Sequence, residues 1–193
     1  MNVIKHNRFV IELEGLVDHD MCDLLVENVE NSNAYKYNTE EKSKVRHNRS
    51  IVLSKEEELT ETDELTNELF GMGHYHHDKH CIFSKFLNSY YSRLSCEYFY
   101  RYYDSNDYYD WHVDKDEFNE YVFSYILYLN DDFEGGDTIF LADQLRVKPK
   151  KGSMLCFPCD FSYIHKSTPI KSGKKKIIWT CMGRPIKTYH GAT

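Results

Sequence analysis

No run of apolar residues in this 193-residue chain approaches the roughly 18 that a membrane-crossing helix needs. The start, Met1-Asn2-Val3-Ile4-Lys5-His6, has no apolar stretch leading to a small-residue cleavage site. Neither secretion nor membrane spanning is expected. Proline is scarce, with 4 residues; no Pro-rich linker divides the chain and no internal repeat is seen. A single domain over residues 1–193 is therefore expected, long enough to bury a sizeable core. Six cysteines without a leader point to reduced thiols in the cytoplasm. Cys156-Phe157-Pro158-Cys159 is a C-x-x-C that lacks a second such pair to complete a zinc site. It reads as two structural thiols.

What is present describes a folded chain. Hydrophobic residues make up 41% and aromatics 15%, which excludes a disordered chain. Tyrosine leads the aromatics with 16 copies, and its amphipathic ring suits a half-polar cavity as well as a core. The net charge of −7 argues against general nucleic-acid binding, which favours a basic surface. The charge is uneven. Residues 104–120 carry seven acids and one lysine, whereas residues 146–176 carry nine Lys or Arg and one acid, Asp160. Most of these charges read as two solvated faces.

Along the chain, Phe9–Leu13 reads as a strand, and Asp18 or Asp20 can cap a following helix. Cys22, Leu25, Val26 and Val29 share one helical face. Residues 31–49 are polar and read as a loop. Ser50–Leu53 reads as a short strand, and Ser54-Lys55-Glu56-Glu57 fits a capping box for a helix to about Phe70. The histidine cluster His74–His80 reads as a polar loop. Phe83, Phe86, Leu87, Tyr90 and Leu94 mark an amphipathic helix. From there the pattern changes to short β-rich runs at 97–103, 121–129, 138–141, 144–147, 153–157, 161–164 and 175–182, separated by turn signals. The expected fold is α+β and mainly β. Residues 96–185 form a jelly roll, or cupin-like double-stranded β-helix, and residues 1–95 supply a strand and supporting helices packed on one sheet.

The chemistry concentrates in two fragments, His112-Val113-Asp114 and His165. Side chains at i and i+2 of an extended segment point the same way, so His112 and Asp114 can converge while Val113 turns away. A third ligand, His165, would complete a triangular face of two imidazoles and a carboxylate. That set suits non-haem Fe(II), and a catalytic zinc could use it too.

The surrounding text is more specific. Tyr128-Leu129-Asn130 through Phe133-Glu134-Gly135-Gly136-Asp137-Thr138-Ile139-Phe140 resembles a "YLN…F.GG.T.F" segment of prolyl 4-hydroxylase-like 2-oxoglutarate/Fe(II) dioxygenases. Pro149 to Pro158 resembles that family's "P..G..l.Fp" strand pair, and His165 to Lys175 its "H.v.PV..G.R/K" segment. The resemblance covers most of the chain and is densest over residues 97–182. It implies that His112, Asp114 and His165 bind Fe(II) and that Lys175 pairs with the distal carboxylate of 2-oxoglutarate. It also implies that Tyr103, nine residues before His112, contacts the cosubstrate; Tyr128 is a second contact if its strand face points inward. Ordinary packing is the competing role for both tyrosines. A departure is visible at the substrate end. Trp179 lies four residues past Lys175, where many relatives carry Trp six past, and Cys181 holds that position here.

The reading is a dioxygenase that uses Fe(II), 2-oxoglutarate and O2, with ascorbate as reductant, and releases succinate and CO2. The favoured substrate is a proline in a peptide or protein. The alternatives are a nucleobase or small-molecule hydroxylase or demethylase, and a non-catalytic metal-binding jelly roll.

Overall fold

A computed structural model describes residues 1–38, 41–43, 45–81, 97–115 and 119–185. The amphipathic helix expected around Phe83–Leu94 lies outside these residues. The chain opens with paired strands β1 (Asn2–Lys5) and β2 (Ile11–Glu14). Asp18 caps helix α1 (His19–Asn31), its carboxylate accepting from Met21 N at 2.8 Å. Cys22, Leu25 and Val29 are buried on the expected face, with Val26 packed at its edge.

Three expectations fail in the next segment. The polar stretch 31–49 is not a plain loop: it holds a short helix α2 (Asn33–Lys36), strand β3 (Glu41–Lys42) and most of strand β4 (Arg46–Val52). Polarity misled because β4 is only partly buried and is held by neighbours on both sides. The capping box at Ser54 is not used. Two 3-10 turns, Leu53–Lys55 and Glu57–Leu59, precede helix α3 (Thr60–His80), which starts without a side-chain cap. The histidine cluster continues α3 rather than forming a loop. Its inward member, His77, is fully buried, with Nδ1 3.0 Å from the Tyr125 hydroxyl.

The remaining elements are strands β5 (Phe99–Tyr103), β6 (Tyr108–His112), β7 (Asn119–Tyr128), β8 (Glu134–Gly135), β9 (Thr138–Phe140), β10 (Arg146–Val147), β11 (Met154–Pro158), β12 (His165–Ser167), β13 (Ile170–Ser172) and β14 (Lys175–Pro185). The strand expected at 161–164 is instead a 3-10 turn, Phe161–Tyr163. The Asp160 carboxylate accepts from Ser162 N there, and this local turn chemistry overrides the β-propensity of the aromatics. Among the described residues, twelve strands form one antiparallel sheet along the path β1-β2-β11-β7-β14-β5-β4-β6-β12-β9-β10, with β3 on β4; β13 pairs β8 separately. Strand β4 turns the corner, pairing β5 through Arg49–Val52 and β6 through Arg46–His47. The sheet thus folds back on itself as a jelly roll.

Strand alternation sorts the inside into two cores. Phe123, Tyr125 and Leu127 of β7, Met154 and Cys156 of β11, and Ile178 and Met182 of β14 pack in the cluster shared with α1 and α3. Ile126 and Tyr128, Leu155 and Phe157, and Ile177 and Trp179 face the other way, into the roll. No described helix is long and apolar enough to cross a membrane.

Gly152 ties these layers together. It sits at φ +77°, a conformation that glycine tolerates best, and accepts at 3.0 Å from Val17 N just before α1. A Cβ there would lie 2.1 Å from the Val17 carbonyl oxygen. Gly152→Ala is expected to lower the thermal midpoint by roughly 5 °C or more, measured by circular dichroism; an unchanged midpoint would refute this role.

Candidate metal centre

The end of β6 and the start of β12 are paired so that His112 lies directly across from His165. Asp114 follows two residues after the end of the β6 pairing and turns back toward both rings. His112 Nε2 lies 3.5 Å from Asp114 Oδ1, and His165 Nε2 lies 3.6 Å from Asp114 Oδ2. The three candidate ligand atoms fall within 4.8 Å of one another.

The other ring nitrogens decide what these atoms offer. His112 Nδ1 is 2.7 Å from the Asp110 carbonyl, and His165 Nδ1 is 3.0 Å from the Tyr163 carbonyl. A carbonyl only accepts, so each Nδ1 carries the proton and each Nε2 presents its lone pair. Burial lowers the His165 pKa to about 4, outweighing the pull of Asp114, so the ring is neutral near pH 7. Burial alone would raise the Asp114 pKa. His165, His112 and the Ser124 hydroxyl outweigh that and hold the carboxyl well below the usual range. Two lone pairs and a carboxylate therefore aim at one point. Such a trio of acceptors fits a divalent cation, and its mixed nitrogen and oxygen donors suit iron.

The surroundings lock the trio in place. The Tyr109 ring stacks on His112 with centroids 3.4 Å apart, and Phe157 meets His165 edge-on at 4.7 Å. Ser124 Oγ donates to Asp114 Oδ2 at 2.5 Å. Trp179 Nε1 donates to Ser124 Oγ at 2.8 Å and reaches Asp114 Oδ2 at 3.3 Å.

Lys175 sits in the same cavity, 2% exposed. Its Nζ donates to Gly136 O at 2.7 Å and Ser167 Oγ at 3.0 Å, both neutral acceptors. Burial lowers its pKa to about 7, which Asp137 offsets only in part. A buried ammonium without a carboxylate beside it fits an anionic ligand. Tyr103 lines this cavity, and the Lys175 Nζ lies 5.4 Å from its ring centroid. Tyr128 also faces inward, but its hydroxyl is 3.1 Å from that of Thr138, which lines the cavity itself.

Several residues near these motifs lie apart from the cavity. Lys174 and Lys176 turn to the helical side, toward Asp104 at 3.3 Å and Glu30 at 2.8 Å. Arg49 pairs with Asp104, and Trp111 is exposed under Lys166. Cys156 and Cys159 are buried in different cores. Sequence reasoning gave no role to Arg101, Tyr109 or Ser124. Strand period could have found Arg101, which shares the inner face of β5 with Tyr103.

Residues 98–182 match the family model described as the 2OG-Fe(II) oxygenase superfamily. The match spans most of the jelly-roll core, from β5 into β14. No curated protein matches the sequence. Among solved structures, the chain is similar to the viral collagen prolyl hydroxylase of Paramecium Bursaria Chlorella virus-1 in its 2OG complex. The two are 20% identical, with a TM-score of 0.62 over 90% of this chain and 94% of that one. A Pseudomonas putida prolyl-4-hydroxylase is 16% identical, with a TM-score of 0.66 over 91% and 92%. A Trichoplax adhaerens prolyl hydroxylase in complex with a hypoxia inducible factor peptide fragment is 12% identical, with a TM-score of 0.68 over 92% and 84%. These likenesses establish the jelly-roll fold. Fe(II) and 2-oxoglutarate are the metal and cosubstrate that the superfamily implies.

A buried lysine with a lowered pKa opposes folding. The folded chain binds fewer protons than the unfolded one between about pH 7 and the normal lysine range, so this penalty is full below pH 7 and fades as pH rises. Lys175→Met is therefore expected to raise the thermal midpoint of the ligand-free protein, and by more at pH 6 than at pH 10. Equal midpoints at pH 6 would contradict the buried charge.

Proposed function

We propose that this chain is a 2-oxoglutarate- and Fe(II)-dependent dioxygenase that hydroxylates a C–H bond, with the 4-position of a peptidyl proline as its target. The observation that carries this reading is the pairing of three converging acceptors with a buried ammonium in one cavity. The prolyl target is supported by the kinds of protein that share the fold. The reading takes residues 1–193 as one domain in the cytoplasm, with the compartment resting on cysteine usage.

In this reading, His112, Asp114 and His165 hold the metal on one triangular face and leave its other positions to ligands. Bound Fe(II) and 2-oxoglutarate supply the oxidising chemistry, in which O2-dependent decarboxylation to succinate and CO2 is coupled to hydroxylation. Lys175 holds the distal carboxylate of the cosubstrate, and the ion pair restores the charge that burial disfavours. Ser167 and Gly136 aim the ammonium, and Tyr103 walls the same end of the cavity. Ser124 and Trp179 fix the Asp114 carboxylate through the hydrogen bonds described above. Apolar walls from Ile126 and Ile177 keep bulk water from this point.

Purified protein supplied with Fe(II), 2-oxoglutarate and ascorbate is expected to release succinate. His112→Ala should abolish the release, and turnover equal to the parent would sink the ligand assignment. Lys175→Met should weaken 2-oxoglutarate binding by about tenfold or more, as loss of a charge-assisted hydrogen bond does. Mass spectrometry of a proline-containing peptide library should show the gain of one oxygen on proline. Succinate release coupled to oxygen gain on a different class of molecule would refute the prolyl target while leaving the reaction class.

A further inference from the structure

A second cation lies in the cavity beside Lys175. Arg101 is on β5, in register with Ile177 of β14 and two residues from Tyr103 on the same inner face. It is 6% exposed. Its Cζ is 4.2 Å from the Trp179 ring centroid, 5.5 Å from Phe99 and 5.9 Å from Tyr109. Two of these rings touch the metal centre directly, Tyr109 by stacking on His112 and Trp179 by its hydrogen bond toward Asp114. The guanidinium therefore stands one aromatic ring away from the triad. Lys175 reaches in a different direction, to Gly136 and Ser167.

Aromatic faces attract a cation but accept none of its five N–H groups in full hydrogen bonds. Among the described residues, Arg101 Nε is buried without any hydrogen-bond partner. Asp114, the one carboxylate among the described residues that line the cavity, is already engaged by Ser124 and Trp179 and faces both histidines. Leaving a buried guanidinium in this state is costly unless an anion completes it.

Charge balance gives the same answer. On the proposed function, the metal's two positive charges offset the two negative charges of 2-oxoglutarate, and Lys175 offsets Asp114. The charge of Arg101 is left over. A rigid fork flanked by flat aromatic walls matches a flat anion, which a carboxylate is.

We infer that Arg101 is the anchor for a carboxylate of the primary substrate, so that the molecule oxidised carries a negative charge close to the reacting C–H bond. The inference rests on the dioxygenase reading and adds a substrate class to it. Two sources share this chemistry: an acidic side chain next to the target residue, or the free carboxyl end of the substrate.

Protein loaded with Mn(II) and 2-oxoglutarate binds without turnover, so calorimetry can read affinity alone. The probes are N-acetylproline against its amide, and proline peptides differing only by Asp or Asn beside the proline. At least one carboxylate probe should bind about tenfold or more tightly than its neutral partner. The first pair reports a carboxyl end and the second an acidic neighbour. In Arg101→Gln the preference should fall below threefold with 2-oxoglutarate affinity unchanged, which also shows that the variant is folded. Arg101→Lys, which keeps the charge but not the fork, should retain only part of the preference. The inference fails if no carboxylate probe outbinds its neutral partner in the parent protein. It also fails if Arg101→Gln weakens 2-oxoglutarate binding instead of carboxylate preference. Loss of 2-oxoglutarate binding by the parent protein itself would overturn the dioxygenase reading beneath it.

Discussion

The antiparallel pairing of β6 with β12 puts His112 and His165 face to face in register, and Asp114 closes on both. Three acceptors at this separation repel one another unless a cation lies among them. Much of the interior exists to hold them there. Backbone carbonyls fix both imidazole tautomers, Tyr109 and Phe157 fix the ring planes, and Ser124 with Trp179 fixes the carboxylate. Stability is spent on function at Lys175, whose buried ammonium opposes folding, whereas the partners of Asp114 outweigh the burial of its carboxylate.

The roll and the helical layer divide the labour through strand alternation. On β7, β11 and β14 the residues packed against α1 and α3 are mostly apolar, with Lys176 pairing Glu30 at the rim, and they make the structural layer. Residues facing inward on the same strands include Ser124, Lys175 and Trp179, which make the chemical one. A shift of one residue on β14 would carry Lys175 out toward Glu30 and Asp104 and bring Lys174 or Lys176 into the cavity. The β14 register with β5 and β7 is therefore as important to the site as the ligands themselves.

Much of the site was legible because its residues lie in short ordered fragments. His112 and Asp114 are two apart on local strand geometry, whereas His165 on β12 and Lys175 on β14 were picked out together by the family resemblance. The segment 97–182 was legible as strands because turn residues punctuate it. Errors fell where local signals and tertiary contacts disagree. Residues 46–49 are polar yet form the corner strand of the sheet, because neighbours on two sides satisfy their backbone. The histidines at 74–80 read as polar yet are helical, with His77 buried against Tyr125 and Phe123. Phe161–Tyr163 reads as a strand, yet Asp160 bends it into a turn.

The sequence by itself offered His112, Asp114 and His165 as candidate donors and the mainly β class, and its family resemblance singled out Lys175. Residue type and a spacing of two along a strand are local properties, so no distant contact is needed to read them. Only the tertiary structure decided which inward residues meet. Arg101 looks like any surface arginine in the sequence. It becomes a buried cation beside the candidate metal centre because β14, paired with β5, supplies Trp179 and the closed roll brings Tyr109 of β6 to it, next to Phe99 of its own strand. Burial and charge balance depend on which strands become neighbours, and that is settled by long-range pairing rather than by the residues on either side of position 101.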